Sequence, residues 1–375
     1  MKSQRVIETL LAEAGIKIGG SNPWDIQVHD ERFYEMAVKK GAMGLGDSYV
    51  LGFWDCEDIP EMSAKLSRKV NYRMPRHLGI VENQKTTEKD RQKSMEVVDD
   101  HYEIGNALYT RMLDPYMQYT CAYWPPGTDN LAQAQLNKME LIGKKLDIRP
   151  GNSILDIGCG WAGIGKYLTA NYDCWYTGIN LAQSHIDYAL NVMCKGNERV
   201  KVIKQDYRDT EEKFDRILCV GVSEHFGREY YRLFFETVHK NLKKDGVFVL
   251  QTACDNITRL HTDRWMEQTG LPNTYIPSLK LAAESAEGLF VTEDVHNLGV
   301  NYGKTMVAWE RNVVRNWDLI RQDLPELDDG KFYRRWRYFL LFSAGQFFNR
   351  RIQLYQFVFT RIEDGRFYPT PSYSW

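Results

Sequence analysis

One eleven-residue run constrains this chain more than any other: Ser153-Ile-Leu-Asp-Ile-Gly-Cys-Gly-Trp-Ala-Gly163. Its apolar residues read as a strand that carries Asp156 near its end. Gly158 and Gly160 then permit a tight turn whose backbone, free of Cβ atoms, can come close to a ligand, and a helix begins at once. Such a unit belongs in a sheet with parallel strands at its centre, helices on its faces and a ligand crevice at the carboxyl ends of the strands. It does not choose the ligand. Gly163 completes a G-x-G-x-x-G spacing, so a nicotinamide dinucleotide fits the glycines as well as another nucleotide-type cofactor does.

The rest of the chain divides by texture. From residue 134 onward, helical stretches alternate with short apolar runs, and strands are expected at 153–157, 175–179, 200–203, 214–220, 246–252, 289–295 and 354–360. Helices are expected at 133–145 and 230–241 among others, and the last strand arrives only after a long helical insertion at 304–349. This suits a doubly wound sheet closed by an edge hairpin. Residues 1–80 show no such alternation. They read as short helices and turns, with Val6, Ile7, Leu10 and Leu11 on one face of a first helix and Gly-Leu-Gly-Asp-Ser-Tyr at 44–49. Residues 81–98 are almost wholly polar, as a linker is. The expected organisation is a small N-terminal domain over 1–80, a linker over 81–98 and a catalytic domain over 99–375.

Composition narrows the function classes. Net charge is −2 over 375 residues with 43% apolar side chains, which allows a large buried core and argues against a disordered polymer. No apolar run approaches the ~18–20 residues of a membrane span. A pI of about 6.5 argues against a protein that neutralises many phosphates, so no nucleic acid is expected as a partner. The start lacks the apolar core of a signal peptide, which points to the cytoplasm. Seven cysteines form no C-x-x-C pair, which suggests reduced thiols and no metal site. Charge is unevenly spread: Lys331, Arg334, Arg335, Arg337, Arg350, Arg351 and Arg361 face no acid over 331–362. A second basic group is Lys65, Arg68, Lys69, Arg73 and Arg76. Both groups read either as solvated helix faces or as attraction to anionic lipid, worth ~1 kcal/mol per basic residue near the surface.

The residues around the glycines separate the cofactors better than the spacing does. Leu-Asp-Ile-Gly-Cys-Gly-Trp at 155–161 resembles the first motif of class I S-adenosylmethionine-dependent methyltransferases, Rossmann-like enzymes with a seven-stranded, mostly parallel sheet. The resemblance implies that Asp156, Gly158 and Gly160 meet the amino-acid portion of S-adenosylmethionine, with Tyr119 and Thr120 also at the cofactor. The next strand ends in Asn180, where most such enzymes carry an acid for the ribose hydroxyls; Asn180 and Gln183 would take that role. Asp206-Tyr207 resembles the adenine clamp, a carboxylate for the exocyclic amine and a ring for the base.

A broader resemblance covers nearly the whole chain. Asp100-His-Tyr-Glu-Ile-Gly-Asn-Ala-Leu-Tyr109, Leu113–Trp124, Gly221-Val-Ser-Glu-His-Phe-Gly227, Asn297–Tyr302, Gly-Phe-Trp-Asp at 52–55 and Ile352-Gln-Leu-Tyr-Gln356 are similar to the cyclopropane fatty acid synthases. That family implies transfer of a methylene unit from S-adenosylmethionine to the cis double bond of an acyl chain in a membrane phospholipid, by a homodimer held peripherally at the bilayer. An alkene is a poor nucleophile, so the sulfonium must be held in line and water excluded. The carbocation that follows is tolerated beside aromatic faces at ~0.5–2 kcal/mol per contact, and Tyr102, Tyr119, Tyr123, Trp124 and Phe226 are the candidate rings.

In the family the base that closes the ring is bicarbonate. By resemblance it is held here by Cys121 (through its backbone), Glu224, Gln251, Ala253 and Tyr302. Gln251 stands where the family usually has histidine, and Ala253 where it has isoleucine. Glutamine cannot become cationic, so the anion loses a charge partner. Three outcomes stay open: bicarbonate on neutral donors, Glu224 as the base itself, or a methyl-branched or methylene product. Methylation of another alkene such as an isoprenoid is the alternative substrate class. A cofactor-binding protein without chemistry is disfavoured by the presence of Glu224, Tyr302 and the complete turn. His225 is as readily structural as catalytic, and no histidine is spaced to activate the Cys121 thiol.

Overall fold

Residues 2–68 fold without strand–helix alternation. They form α1 (Lys2–Glu13), β1 (Gln27–Val28), α2 (Arg32–Lys40), α3 (Ala42–Val50), β2 (Trp54–Asp55) and α4 (Ile59–Arg68), with β1 and β2 paired antiparallel. The computed structural model describes residues 2–68, 104–259, 263, 265, 266, 269, 274–364 and 368. The polar stretch 81–98, Tyr102 and the basic residues Lys69, Arg73 and Arg76 lie outside the described residues. In α1 the expected four-residue face splits. Ile7 and Leu11 are buried, whereas Val6 and Leu10 are 42% and 55% exposed. Each pair is one helical turn apart and so forms its own stripe, and α1 packs on α2 along only one of them.

The remainder comprises α5 (Asn106–Met112), α6 (Leu131–Lys145), β3 (Asn152–Ile157), α7 (Gly163–Asn171), β4 (Cys174–Asn180), α8 (Gln183–Tyr188), β5 (Val200–Lys204), β6 (Phe214–Val220), α9 (Tyr231–Asn241), β7 (Leu242–Asp255), α10 (Leu279–Ala286), β8 (Phe290–Asn297), α11 (Gly299–Asp323), α12 (Phe332–Phe348) and β9 (Ile352–Arg361). The sheet runs β5-β4-β3-β6-β7-β9-β8. Its first five strands are parallel neighbours, and β9 is antiparallel to both β7 and β8. All seven expected strands are present. The expected antiparallel pair closes one edge as β8 and β9, with β9 inserted between β7 and β8. Pairing with β9 also lengthens β7 to Asp255, opposite Ile352, beyond the end at 252 that its apolar run suggested.

The helical insertion is two helices, α11 and α12, packed on each other, and α12 also packs on α3 and α4. Contacts on several sides explain why Phe332, Trp336, Tyr338, Phe339, Leu340, Leu341 and Phe347 are all buried in one helix. The basic run along it is not a free face. Arg334 donates to the carbonyls of Tyr49 (2.6 Å) and Trp54 (2.9 Å) and to Asp55 Oδ1 (2.8 Å), lying over the Tyr49 ring. Arg337 pairs with Glu310 at 2.6 Å, and Arg361 pairs with Glu363 and donates to Leu242 O. Three of the seven residues are thus stitches within the fold, a use that neither reading of the charge pattern included.

Candidate active site

The glycine turn is built by backbone conformation and close approach. Gly158 (φ +78°) and Gly160 (φ +52°) adopt the left-handed region, and Ala162 enters α7 in the same region. A Cβ on Gly158 would lie 2.4 Å from Val222, so the turn also presses on the end of β6. Gly163 has a different task from the one its spacing suggests: a Cβ there would lie 1.8 Å from the Tyr116 carbonyl, so it admits the 113–124 segment against the start of α7. At Gly160 a Cβ would meet nothing within 4 Å, which leaves space above the turn for a cofactor.

Asp156 lies beneath this turn. It is buried, and the Tyr176 hydroxyl donates to its Oδ2 at 2.5 Å. Burial raises its carboxyl to about 7, against the lowering effect of Tyr176 and of Lys138. The two amides assigned to the ribose are engaged within the protein. Asn180 Nδ2 donates to Gly160 O at 3.1 Å and its Oδ1 accepts from Leu181 N and Ala182 N, which ties the end of β4 to the turn, while Gln183 donates to Asp187 at 2.9 Å. At the end of β5, Asp206 is gripped by Arg208 through Nε (2.8 Å) and Nη2 (2.5 Å). The Tyr207 ring packs on Phe226 and Phe234.

Beside the turn lies a cavity of about 460 Å³. Every residue expected at the base, namely Cys121, Glu224, Gln251, Ala253 and Tyr302, lines it, together with Tyr119 and Thr120. Glu224 Oε1 accepts from Ala253 N at 2.7 Å. Its Oε2 is buried and makes no hydrogen bond among the described residues. Burial raises the Glu224 carboxyl above its ordinary value, only partly countered by the Ala253 amide. Gln251 Nε2 donates weakly to Cys121 O at 3.4 Å, and Gln251 Oε1 accepts from Gln356 Nε2 at 2.8 Å. Burial pushes the Cys121 thiol well up and lowers His225 to about 4, so the thiol stays protonated and the imidazole neutral.

Lys138, absent from the sequence reading, holds this wall from behind. Fully buried in α6, it donates to Gln118 Oε1 at 2.6 Å and Thr120 Oγ1 at 2.8 Å, and burial lowers it to about 8. Gln135, three residues earlier, donates to Thr120 O at 2.9 Å. Their spacing with Met139 and Ile142 on the buried face of a helix was the available signal. Of the five candidate rings, Tyr119 lines the cavity. Tyr123 packs on His296, Trp124 bonds to Thr305, Phe226 joins the Tyr207 side, and Tyr102 is not described. Most of the remaining aromatic wall comes from the helical insertion, as Trp309, Phe339, Phe342 and Phe347, with Tyr275 added from the segment before α10. The far wall includes Leu45 of α3 and Leu66 of α4.

A mixed sheet of this order, with a glycine turn at its centre and a cavity at the strand ends, defines a class I S-adenosylmethionine-dependent methyltransferase. The family described as mycolic acid cyclopropane synthetase matches residues 89–357. The chain is 38% identical over 367 residues to the cyclopropane-fatty-acyl-phospholipid synthase of Escherichia coli K12, covering 96% of this chain and 94% of that protein. It is 30% identical over 283 residues to cyclopropane mycolic acid synthase 1 of Mycobacterium tuberculosis, covering 70% of this chain and 95% of that one. Among solved structures, a mycolic acid cyclopropane synthase complexed with SAH and CTAB superposes with a TM-score of 0.65 at 27% identity, over 71% of this chain and 97% of that chain. The chain therefore belongs to the cyclopropane synthase family of S-adenosylmethionine-dependent enzymes, which act on unsaturated acyl chains.

Proposed function

We propose that the chain transfers a methylene unit from S-adenosylmethionine to the cis double bond of an acyl chain in a membrane phospholipid and leaves a cyclopropane ring. One observation carries this reading. A buried carboxylate oxygen, Glu224 Oε2, stands without a hydrogen bond among the described residues in the wall of a cavity otherwise rich in aromatic and aliphatic side chains. Such an oxygen requires a proton donor, since a buried acceptor left unsatisfied costs about 1–3 kcal/mol. Hydrogen carbonate fits, because it brings a hydroxyl for Glu224, and Gln251 and Tyr302 bring neutral donors to the same wall. The open space above Gly160 likewise suits the cofactor.

When bound, S-adenosylmethionine supplies an electrophilic methyl group and hydrogen carbonate supplies a base. The chain's own residues do the rest. Met306, Phe339, Phe342 and Leu66 hold an acyl chain dry and in line. The rings of Tyr119, Tyr302 and Trp309 border the space where positive charge develops on that chain, at ~0.5–2 kcal/mol for each face engaged. Glu224 holds the proton-bearing oxygen of the base through Oε2, while the Ala253 amide fixes Oε1.

The substrate sits in a bilayer, so the protein works at the inner membrane surface as a peripheral enzyme. No described helix is long and apolar enough to cross a membrane. The exposed stripe of α1, Val6 and Leu10 with Lys2 and Arg5 beside them, has the composition of an interfacial helix. We also propose the dimer that the family resemblance implies, which sedimentation of the full chain reads directly.

A methyl-branched or methylene product is the second reading, favoured by the uncharged Gln251. Trideuteriomethyl S-adenosylmethionine with unsaturated phospholipid vesicles distinguishes the two. Two retained deuteriums with ring protons at high field give cyclopropane; a product without a ring, whether it keeps three deuteriums as a methyl branch or two as a methylene group, overturns the main reading.

A further inference from the structure

Three strands at one side of the sheet carry a polar row among apolar ones. Gln251 of β7, Gln356 of β9 and His296 of β8 stand directly opposite one another, and all three are buried. The neighbouring pairs on the same face of β7 and β9 are Val249 with Val358 and Ala253 with Leu354. Polar side chains in such a setting are costly unless their hydrogen bonds have a definite sense.

The sense here can be followed from the cavity wall inward. Cys121 O is an acceptor, so the group facing it is the NH2 of Gln251, at 3.4 Å. That turns Gln251 Oε1 the other way, where it accepts from Gln356 Nε2 at 2.8 Å. This is the one side-chain hydrogen bond of Gln356 among the described residues; its Oε1 is buried without one. A primary amide has its donor and acceptor on opposite corners, so fixing one corner aims the other.

We propose that Gln356 is a positioning residue. It locks the Gln251 amide with its NH2 toward the cavity and so makes residue 251 a hydrogen-bond donor to the anionic base beside Glu224. The reversed amide would set a carbonyl oxygen beside the Glu224 carboxylate and the Cys121 carbonyl, leaving three acceptors around an anion. This role for Gln356 rests on the bicarbonate reading given above.

The test uses Gln356→Leu, which removes the donor without adding charge, and Gln356→Glu, which offers an acceptor where Gln251 Oε1 needs a donor. Gln356→Met, which keeps the length, replaces the leucine variant if that one lowers Tm. Binding of ¹³C-labelled hydrogen carbonate to the protein loaded with S-adenosylhomocysteine is followed by saturation-transfer NMR, alongside the ratio of ring to open product from the trideuteriomethyl assay.

Loss of one oriented neutral hydrogen bond predicts about tenfold weaker hydrogen carbonate binding in the leucine variant. A larger loss is expected for Gln356→Glu, a shift toward open product in both, and unchanged affinity for S-adenosylhomocysteine. Folded variants that bind hydrogen carbonate and partition products as the unmodified protein does would overturn the role of Gln356 alone. An unmodified protein that forms no ring or binds no hydrogen carbonate overturns the reading on which that role rests.

Discussion

The two walls of the reaction crevice are made in different ways. The wall we propose for the cofactor is backbone. Within residues 156–163 the left-handed turns at Gly158 and Gly160 and the close approach at Gly163 set the shape, and the side chains around them mostly bond to one another. The wall we propose for the acyl chain is side chain, drawn from α3, α4, the ends of β6 and β7, α11 and α12, so residues as far apart in sequence as Leu45 and Phe347 border one cavity. A backbone wall fails at a single added atom, whereas a side-chain wall can be reshaped by degrees. The first suits a cofactor of fixed shape, and the second suits a family of acyl chains.

The sharpest break is expected at Glu224, the buried carboxylate that we place against the base. Glu224→Gln should lower ring formation by ~10²–10⁴-fold, the usual range for loss of an acid–base group. S-adenosylmethionine binding by calorimetry should be retained, and full activity would remove Glu224 from the mechanism. Its pH signature follows from the raised carboxyl. The protonated form persists to higher pH than for an ordinary glutamate, so the acid limb of the kcat/KM profile should lie above 4.5. On the cofactor wall, Gly158→Ala places a Cβ 2.4 Å from Val222 at a positive φ. Titration should show cofactor affinity falling ~100-fold or more, since left-handed strain and overpacking together cost about 2–4 kcal/mol.

Smaller effects test whether the walls are separable. Lys138→Met leaves Gln118 Oε1 and Thr120 Oγ1 without their buried donor and should cost about 2–4 kcal/mol in chemical denaturation. Because Tyr119 and Cys121 flank Thr120, both cofactor affinity and product ratio should move, so a change in only one would show the walls to be independent there. Leu66→Trp should shift the preferred acyl length or double-bond position by only a few-fold, with cofactor affinity unchanged; a cofactor effect would deny the separation. Smallest of all, vesicle binding should rise with anionic lipid and fall with salt, and co-sedimentation insensitive to both would remove the membrane-surface role.

Much of this architecture was legible because it is local. An apolar strand, a glycine pair and a helix start occupy adjacent residues, and each later strand announces itself by its own apolar run, so the sheet and its central turn follow from short stretches. That Cys121, Glu224, Gln251, Ala253 and Tyr302 share one cavity wall was legible only through family resemblance: they come from four separate segments, and nothing in their spacing brings them together. What was not legible has a common cause. Lys138 and the aromatic residues of α12 look like ordinary helix composition until the partners on each side are known, and Arg334 looks like surface charge until the Tyr49 and Trp54 carbonyls lie against it.

The sequence by itself determined the mostly parallel sheet and its central glycine turn, because backbone freedom and apolar periodicity act over a few residues, and its resemblance to a family pointed to the kind of chemistry. Only the tertiary structure decided that Asn180 ties the turn, that three of the seven basic residues on α12 and its flanks serve as internal bonds, and that Gln356 stands behind Gln251. Those facts depend on which groups, from about twenty to nearly three hundred residues apart, share a buried space. In such a space every donor must find an acceptor, and that requirement belongs to the packed molecule rather than to any segment of it.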